Sequence, residues 1–261
     1  MSLINKKIII TRAQEQTSEA HKIFRNNGAE VFDLPSLVIG PPDDWGPLDE
    51  VLHEIDTFDW IIFSSANGVR NVEERMKKID LSLSKISKTI KIAAVGRKTS
   101  SFLTDMNVKV SFVPPSFVAD SLIEYFPQNQ KGLKLFIPRV QTGGRSIISD
   151  SFKLNGAEVT EVAAYESSCP ENIPQKTIDA LNSGEIDIIV FTSSKTVINT
   201  VTLLEKHFCE KWLQLIEKIK IVSIGPQTSN TCEKLIRKPD KEASPHDIDG
   251  ILKSCLEINY Y

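Results

Sequence analysis

The chain repeats itself once, at a displacement of 127 to 129 residues, and that repeat limits its possible folds more than any other feature. Lys7-Ile8-Ile9-Ile10-Thr11-Arg12 returns as Lys134-Leu135-Phe136-Ile137-Pro138-Arg139. Gly28-Ala29-Glu30-Val31 returns as Gly156-Ala157-Glu158-Val159, and Asp59-Trp60-Ile61-Ile62-Phe63-Ser64-Ser65 as Asp187-Ile188-Ile189-Val190-Phe191-Thr192-Ser193. Val95-Gly96-Arg97-Lys98-Thr99-Ser100 is matched by Ile224-Gly225-Pro226-Gln227-Thr228-Ser229, and Ala119-Asp120-Ser121-Leu122 by Ile248-Asp249-Gly250-Ile251. Blocks in one order at nearly one spacing mark a duplication.

Each copy alternates strand and helix. Short β-branched runs at 8–11, 29–33, 60–63, 90–95, 133–137, 158–163, 186–191 and 219–224 lack polar alternation. Such runs suit parallel strands covered on both faces. Between them Val69, Val72 and Met76, and Val197, Val201 and Leu204, recur at helical spacing. The expected fold is α/β: two similar flavodoxin-like, doubly wound lobes. Gly28 and Gly156 stand where a helix would hand over to a strand, as C-cap glycines do. Stretches around Pro35–Pro42 and Ser167–Pro174 read as the two segments of a linker.

Ligands of open parallel sheets bind beyond the carboxyl ends of the strands, and the repeated polar residues fall there. The candidate binding set is Arg12, Ser64, Ser65, Asn67, Thr99, Arg139, Thr192, Ser193, Ser194, Gly225 and Thr228. Strand ends that open helices offer free N–H groups and a positive dipole to carboxylates or phosphates. Ser, Thr and Asn are also favoured caps whatever the ligand, and Arg139 equally suits a surface ion pair.

Several other classes are disfavoured. The first-strand turns lack GxGxxG, and no P-loop or GxSxG elbow occurs, so neither a nucleotide cofactor nor a serine nucleophile is expected. Cys169, Cys209, Cys232 and Cys255 form no CxxC and the four histidines no HExxH, so no metal is expected. A net charge of −3 gives no global field for nucleic acid or membrane. With no secretory core at its start and no run of ~18–20 apolar residues, the chain reads as cytoplasmic.

The Thr11-Arg12 pair, Asp59 to Val69, the VGxxT at 95–99, Val162-Ala163-Ala164-Tyr165-Glu166-Ser167, the Phe-Thr-Ser at 191–193 and the IGxxT at 224–228 together resemble uroporphyrinogen-III synthases. The resemblance runs from about Ile8 to Ile251. Two departures stand out: Tyr165-Glu166-Ser167 where the family usually has YxT, and Lys195 where the first copy has small residues near Gly68.

The resemblance implies one lobe from 1–37 with 168–261 and another from 38–167, with the substrate in a cleft between them. It implies a monomeric, cofactor-free lyase of porphyrin biosynthesis that cyclises hydroxymethylbilane to uroporphyrinogen III with loss of water and inversion of ring D. Tyr165, placed in the second linker, is the implied proton donor to the leaving hydroxyl; an edge-of-core packing role stays open. The alternative is a two-lobe module that binds a tetrapyrrole or another ligand without turning it over.

Overall fold

The computed structural model describes residues 2–12, 17–116, 118–144 and 146–258. Its strands are β1 (Lys7–Thr11), β2 (Glu30–Asp33), β3 (Val38–Gly40), β4 (Trp60–Phe63), β5 (Lys91–Ala94), β6 (Lys134–Val140), β7 (Glu158–Ser168), β8 (Ile188–Phe191), β9 (Lys220–Ser223) and β10 (Lys241–Glu242). The helices are α1 (Thr17–Asn26), α2 (Gly46–His53), α3 (Ala66–Lys77), α4 (Leu83–Ile86), α5 (Arg97–Asp105), α6 (Ala119–Glu124), α7 (Ile147–Leu154), α8 (Gln175–Asn182), α9 (Ser194–Phe208), α10 (Trp212–Ile216), α11 (Pro226–Leu235) and α12 (Ile248–Leu256).

The chain divides into two compact units. Lobe 1 holds the chain up to Val38 and from Ser168 on; lobe 2 is the uninterrupted stretch Ile39–Ser167. The lobe 1 sheet runs β10-β9-β8-β1-β2, with every pairing parallel. Numbered within the lobe and read from the β2 edge, that is the flavodoxin-like order 2-1-3-4-5.

Lobe 2 reproduces this order from a different chain path. Its sheet runs β3-β7-β6-β4-β5, so β6 is its first strand, β7 its second, and β4 and β5 its third and fourth. The fifth place is held by Phe112, bridged in parallel to Ala93, where lobe 1 sets Lys241 against Val222. β3 adds an edge beyond β7.

The strands can be apolar throughout because both faces are covered. In lobe 1, Ile9, Ile189, Phe191 and Ile221 join one cluster, and Ile8, Ile10, Ile188, Val190 and Val222 the other. In lobe 2, Ile61, Phe63, Ile92 and Phe136 face one side, and Trp60, Ile62, Ala93, Leu135 and Ile137 the opposite one. Successive side chains point to opposite faces, so neither face needs polar residues. The helical stripes face inward as expected: Val69, Val72, Met76, Val197, Val201 and Leu204 are all buried. Gly28 and Gly156 take φ of +91° and +87° just after α1 and α7, the left-handed turn in which a Cβ is costly.

Three details depart from the sequence reading. Strand β7 is longer than the expected 158–163 and carries Tyr165 inside it, so this residue belongs to the sheet and not to a linker. The first connector contains β3, and β10 is too short for a periodicity to reveal. β6 continues through Pro138, although its register with β4 ends at Ile61–Phe136. β1, with Thr11 at the matching place, stays paired with β8 to Phe191. A proline has no N–H to give to such a ladder.

Candidate active site

In lobe 2, β4 ends at Phe63, Ser64 is exposed, and Ser65 caps α3. The Ser65 hydroxyl accepts the Gly68 N–H at 3.1 Å, satisfying one of the amides that a helix start leaves without a partner. Asn67, half-buried, lies in that first turn, and its carbonyl accepts from the Asn71 side chain at 2.9 Å.

Tyr165 reaches this turn from β7. Its hydroxyl lies 2.9 Å from Ser65 Oγ, and its ring is 8% exposed within the cluster that also holds Phe63, Val69 and Ala164. Adjacent strand residues normally point to opposite faces, yet Ala164 and Tyr165 share one cluster. The reason is local. The β6–β7 register shifts between Arg139 and Val140, so that Ala163 faces Arg139 but Tyr165, not Ala164, faces Val140. An extra residue of this kind re-aims the side chain that follows it. Burial pushes the phenol above its ordinary value of 10.0, the Ser65 hydrogen bond opposes that rise, and the Glu166 charge adds to it.

The arginine at the end of β6 is engaged within its own lobe. Arg139 Nη1 pairs with Glu161 at 3.2 Å and Nη2 donates to the Gly144 carbonyl at 3.0 Å, holding the turn that follows the strand. This is the ion-pair alternative open at the sequence level, and Glu161 was not singled out there. Arg12, at the end of β1, is half-buried.

In lobe 1 the matching groups are bound mostly to one another. Ser193 caps α9 through the Thr196 N–H at 3.2 Å, in a reciprocal capping box. Thr192 donates to the Thr11 carbonyl at 3.4 Å. Ser194 Oγ donates to the Gln227 carbonyl at 3.0 Å, tying the start of α9 to that of α11. Gly225 is buried against His246, whose Nδ1 lies 2.8 Å from the Ala243 carbonyl.

Thr99 and Thr228 sit third in α5 and α11 and are each 4% exposed. What those turns present outward is therefore their first residues, and here the copies differ. Lobe 2 places Arg97 and Lys98, both exposed; lobe 1 places Pro226 and Gln227. The two cations were not singled out from the sequence, although laying one GxxT turn over the other displays them. Among the described residues no group of three His, Cys, Asp or Glu side chains converges as a metal site. Among the described residues no helix is long and apolar enough to cross a membrane. The arrangement offers a buried phenol on a capped helix start, beside amide-rich turns suited to carboxylates.

Comparison with known proteins agrees over nearly the whole chain. The family model described as uroporphyrinogen-III synthase HemD matches residues 18–253. A uroporphyrinogen-III synthase of Synechococcus elongatus is 43% identical over 250 residues, which cover 96% of this chain and 94% of that protein. A putative uroporphyrinogen-III synthase of Methanothermobacter thermautotrophicus is 27% identical, over 86% and 88% of the two chains. The crystal structure of uroporphyrinogen-III synthetase from Helicobacter pylori superposes with a TM-score of 0.64 at 16% identity, over 97% of this chain and all of that one. A mutant synthase from Thermus thermophilus gives 0.61 at 15% identity, over 96% and 97%; both likenesses speak to the fold.

Proposed function

The chain belongs to the uroporphyrinogen-III synthase family, and from that premise we propose that it cyclises hydroxymethylbilane with Tyr165 as proton donor to the departing hydroxyl. It is an enzyme of tetrapyrrole biosynthesis; the residue roles are the reading offered here. The observation that carries it is Tyr165 held at 2.9 Å from the Ser65 cap, at the carboxyl end of the lobe 2 sheet.

The chemistry asks little of the protein beyond placement. The pyrrole nitrogen pushes out the terminal hydroxyl, the C–O bond breaks with its electron pair on oxygen, and the phenol proton completes a water molecule. The azafulvene carbon is then attacked by the substituted carbon of the last ring. The spiro intermediate fragments and recloses inverted, and the proton lost at reclosure restores the phenol. At neutral pH a phenol with a raised value is fully protonated and can serve as donor.

Choosing one closure over another is a matter of conformer. Each ~1.4 kcal/mol of preference shifts the ratio tenfold. The substrate's carboxylates are the handles, met by Arg12, by Arg97 and Lys98, by Ser64 and Asn67, and by the main-chain amides at Gly96–Thr99, Thr192–Ser194, Gly225, Gln227 and Thr228. Arg139 contributes indirectly, by holding the turn after β6. In this reading the protein works as a cytoplasmic monomer without metal or nucleotide.

The test is a coupled assay with freshly made hydroxymethylbilane, separating type I from type III product. We expect type III, undiminished by EDTA. Tyr165→Phe should lower turnover by ~10²-fold or less, since this leaving group is already expelled by the pyrrole, and should still yield type III. Unchanged turnover would reduce Tyr165 to packing, and mainly type I product would make its hydroxyl a positioning group.

A further inference from the structure

Ser65 holds two bonds at once. Its oxygen accepts the Gly68 N–H at 3.1 Å and lies 2.9 Å from the Tyr165 hydroxyl. A hydroxyl has one hydrogen and two lone pairs. The helix amide occupies one lone pair and polarises the O–H, making it a better donor toward its other neighbour. The positive end of the α3 dipole acts in the same sense, favouring electron density on the phenol oxygen.

We propose that Ser65 is a positioning residue for Tyr165: anchored by the first turn of α3, it donates its hydrogen to the phenol oxygen and so leaves the phenol's own proton for transfer. Were the bond reversed, that proton would be held by Ser65. After transfer the serine O–H is already aimed at the phenolate oxygen and needs no reorientation. Burial and the charge of Glu166 both oppose a phenolate, and the serine bond is the contact that offsets them. Ser193, the matching cap in lobe 1, has the same bond to a third-residue N–H but closes a capping box with Thr196. The serine is thus shared by both copies, and the phenol is what lobe 2 adds.

This inference rests on the proton-donor reading of Tyr165, and the experiment separates the two. Ser65→Ala should lower kcat by about tenfold, at the weak end of general-acid effects, with KM within about twofold. Ser65→Thr should restore most of the loss. In a Tyr165→Phe background, Ser65→Ala should cost nothing further. At neutral pH the NMR signal of tyrosine labelled at Cζ, assigned by its loss in Tyr165→Phe, should move in Ser65→Ala and return in Ser65→Thr. Ser193→Ala gives the melting cost of a lost cap alone. A loss confined to KM, or additive losses in the double variant, would make Ser65 a substrate contact and overturn the proposal; so would an unmoved Cζ signal. If Tyr165→Phe turns over normally while the Cζ signal still moves, the bond is real but the donor reading falls, and the proposal with it.

Discussion

The turn after the fourth strand reads Gly96-Arg97-Lys98-Thr99 in lobe 2 and Gly225-Pro226-Gln227-Thr228 in lobe 1. The glycine and the threonine have structural duties in both copies, opening a helix and filling its buried side. The residues between them have no such duty and have diverged. In lobe 2 they are two exposed cations. In lobe 1 proline removes one amide, and Ser194 binds the Gln227 carbonyl. The cap after the third strand behaves alike: Ser193 closes a box on itself, whereas Ser65 reaches a buried tyrosine. Duplication has preserved the parts that build a helix start and left the parts that face outward free to specialise.

If that division is right, the two lobes should answer matched substitutions differently. The largest contrast is expected at the start of α12 in lobe 1 and of α6, its counterpart in the repeat, in lobe 2. A Cβ on Gly250 would lie 1.8 Å from the Pro245 carbonyl oxygen, a contact that only main-chain movement can relieve. Gly250→Ala should cost ~3 kcal/mol or more, seen as a lower urea midpoint. Ser121→Ala, at the equivalent place, loses only the bond to the Ser116 N–H, worth ~1 kcal/mol. Equal losses would mean that the close approach in lobe 1 is readily relieved.

Alkaline pH should separate the lobes next. Burial pushes the thiols of Cys232 and Cys255 up to about 12, against an ordinary 9.0, and both lie in lobe 1. A raised value means that the folded thiol keeps a proton which the unfolded chain gives up. The stability is therefore whole below about pH 9 and is lost as pH rises toward 12. Lobe 2 contains no cysteine; its raised groups are Tyr165, whose loss begins only above 10.0, and the Arg75 guanidinium, raised by its bond to Asp49 and charged throughout this range. Trp212 reports lobe 1, and Trp45 and Trp60 report lobe 2, so single-tryptophan variants titrated in urea can show which melts first. Lobe 2 failing first would contradict this ordering.

Substrate binding gives a smaller contrast. Replacing Arg97 and Lys98 together by Ala should raise KM about tenfold, as two partly screened contacts to carboxylate would predict. Gln227→Ala should change it less than twofold. The reverse pattern would place the substrate's acid groups on lobe 1. Smallest of all, Thr99→Ala and Thr228→Ala should each lower the melting temperature by a few degrees, from a lost buried contact of ~0.5–2 kcal/mol. A change in KM with an unmoved melting point would instead make either hydroxyl a substrate contact.

The repeat made the sheets legible because the apolar strands carry their own signal. Ile8 to Ile10 and Ile188 to Phe191 are buried on both faces, so their burial is written into consecutive residues. β7 was read short because its second half, Ala163 to Ser168, breaks alternation where the register shifts. That shift depends on β6, and nothing within β7 announces it. For the same reason the Tyr165–Ser65 bond, which joins residues 100 apart, could not be read from either motif alone. Arg139 stands out in the sequence as a strand-end arginine, but its partner Glu161 looks like any other polar residue of a strand. Exposed Arg97 and Lys98 lack periodicity altogether and emerge only when the two copies are compared.

The chain order of the two sheets has a consequence for biosynthesis. Ile8 pairs with Val31 on one side and Ile188 on the other, so β1 leaves the ribosome well before β8, its neighbour on that second side, exists. At ~5–20 residues per second the interval is roughly ten to thirty seconds. All of lobe 2 is made within it and, being continuous, can fold as it appears. Throughout, Ile8, Ile9 and Ile10 present an unpaired apolar edge, a template for unwanted strand pairing. A nascent chain stalled just short of residue 188 should therefore bind chaperone at its first forty residues, and one stalled well beyond the lobe 1 sheet should not.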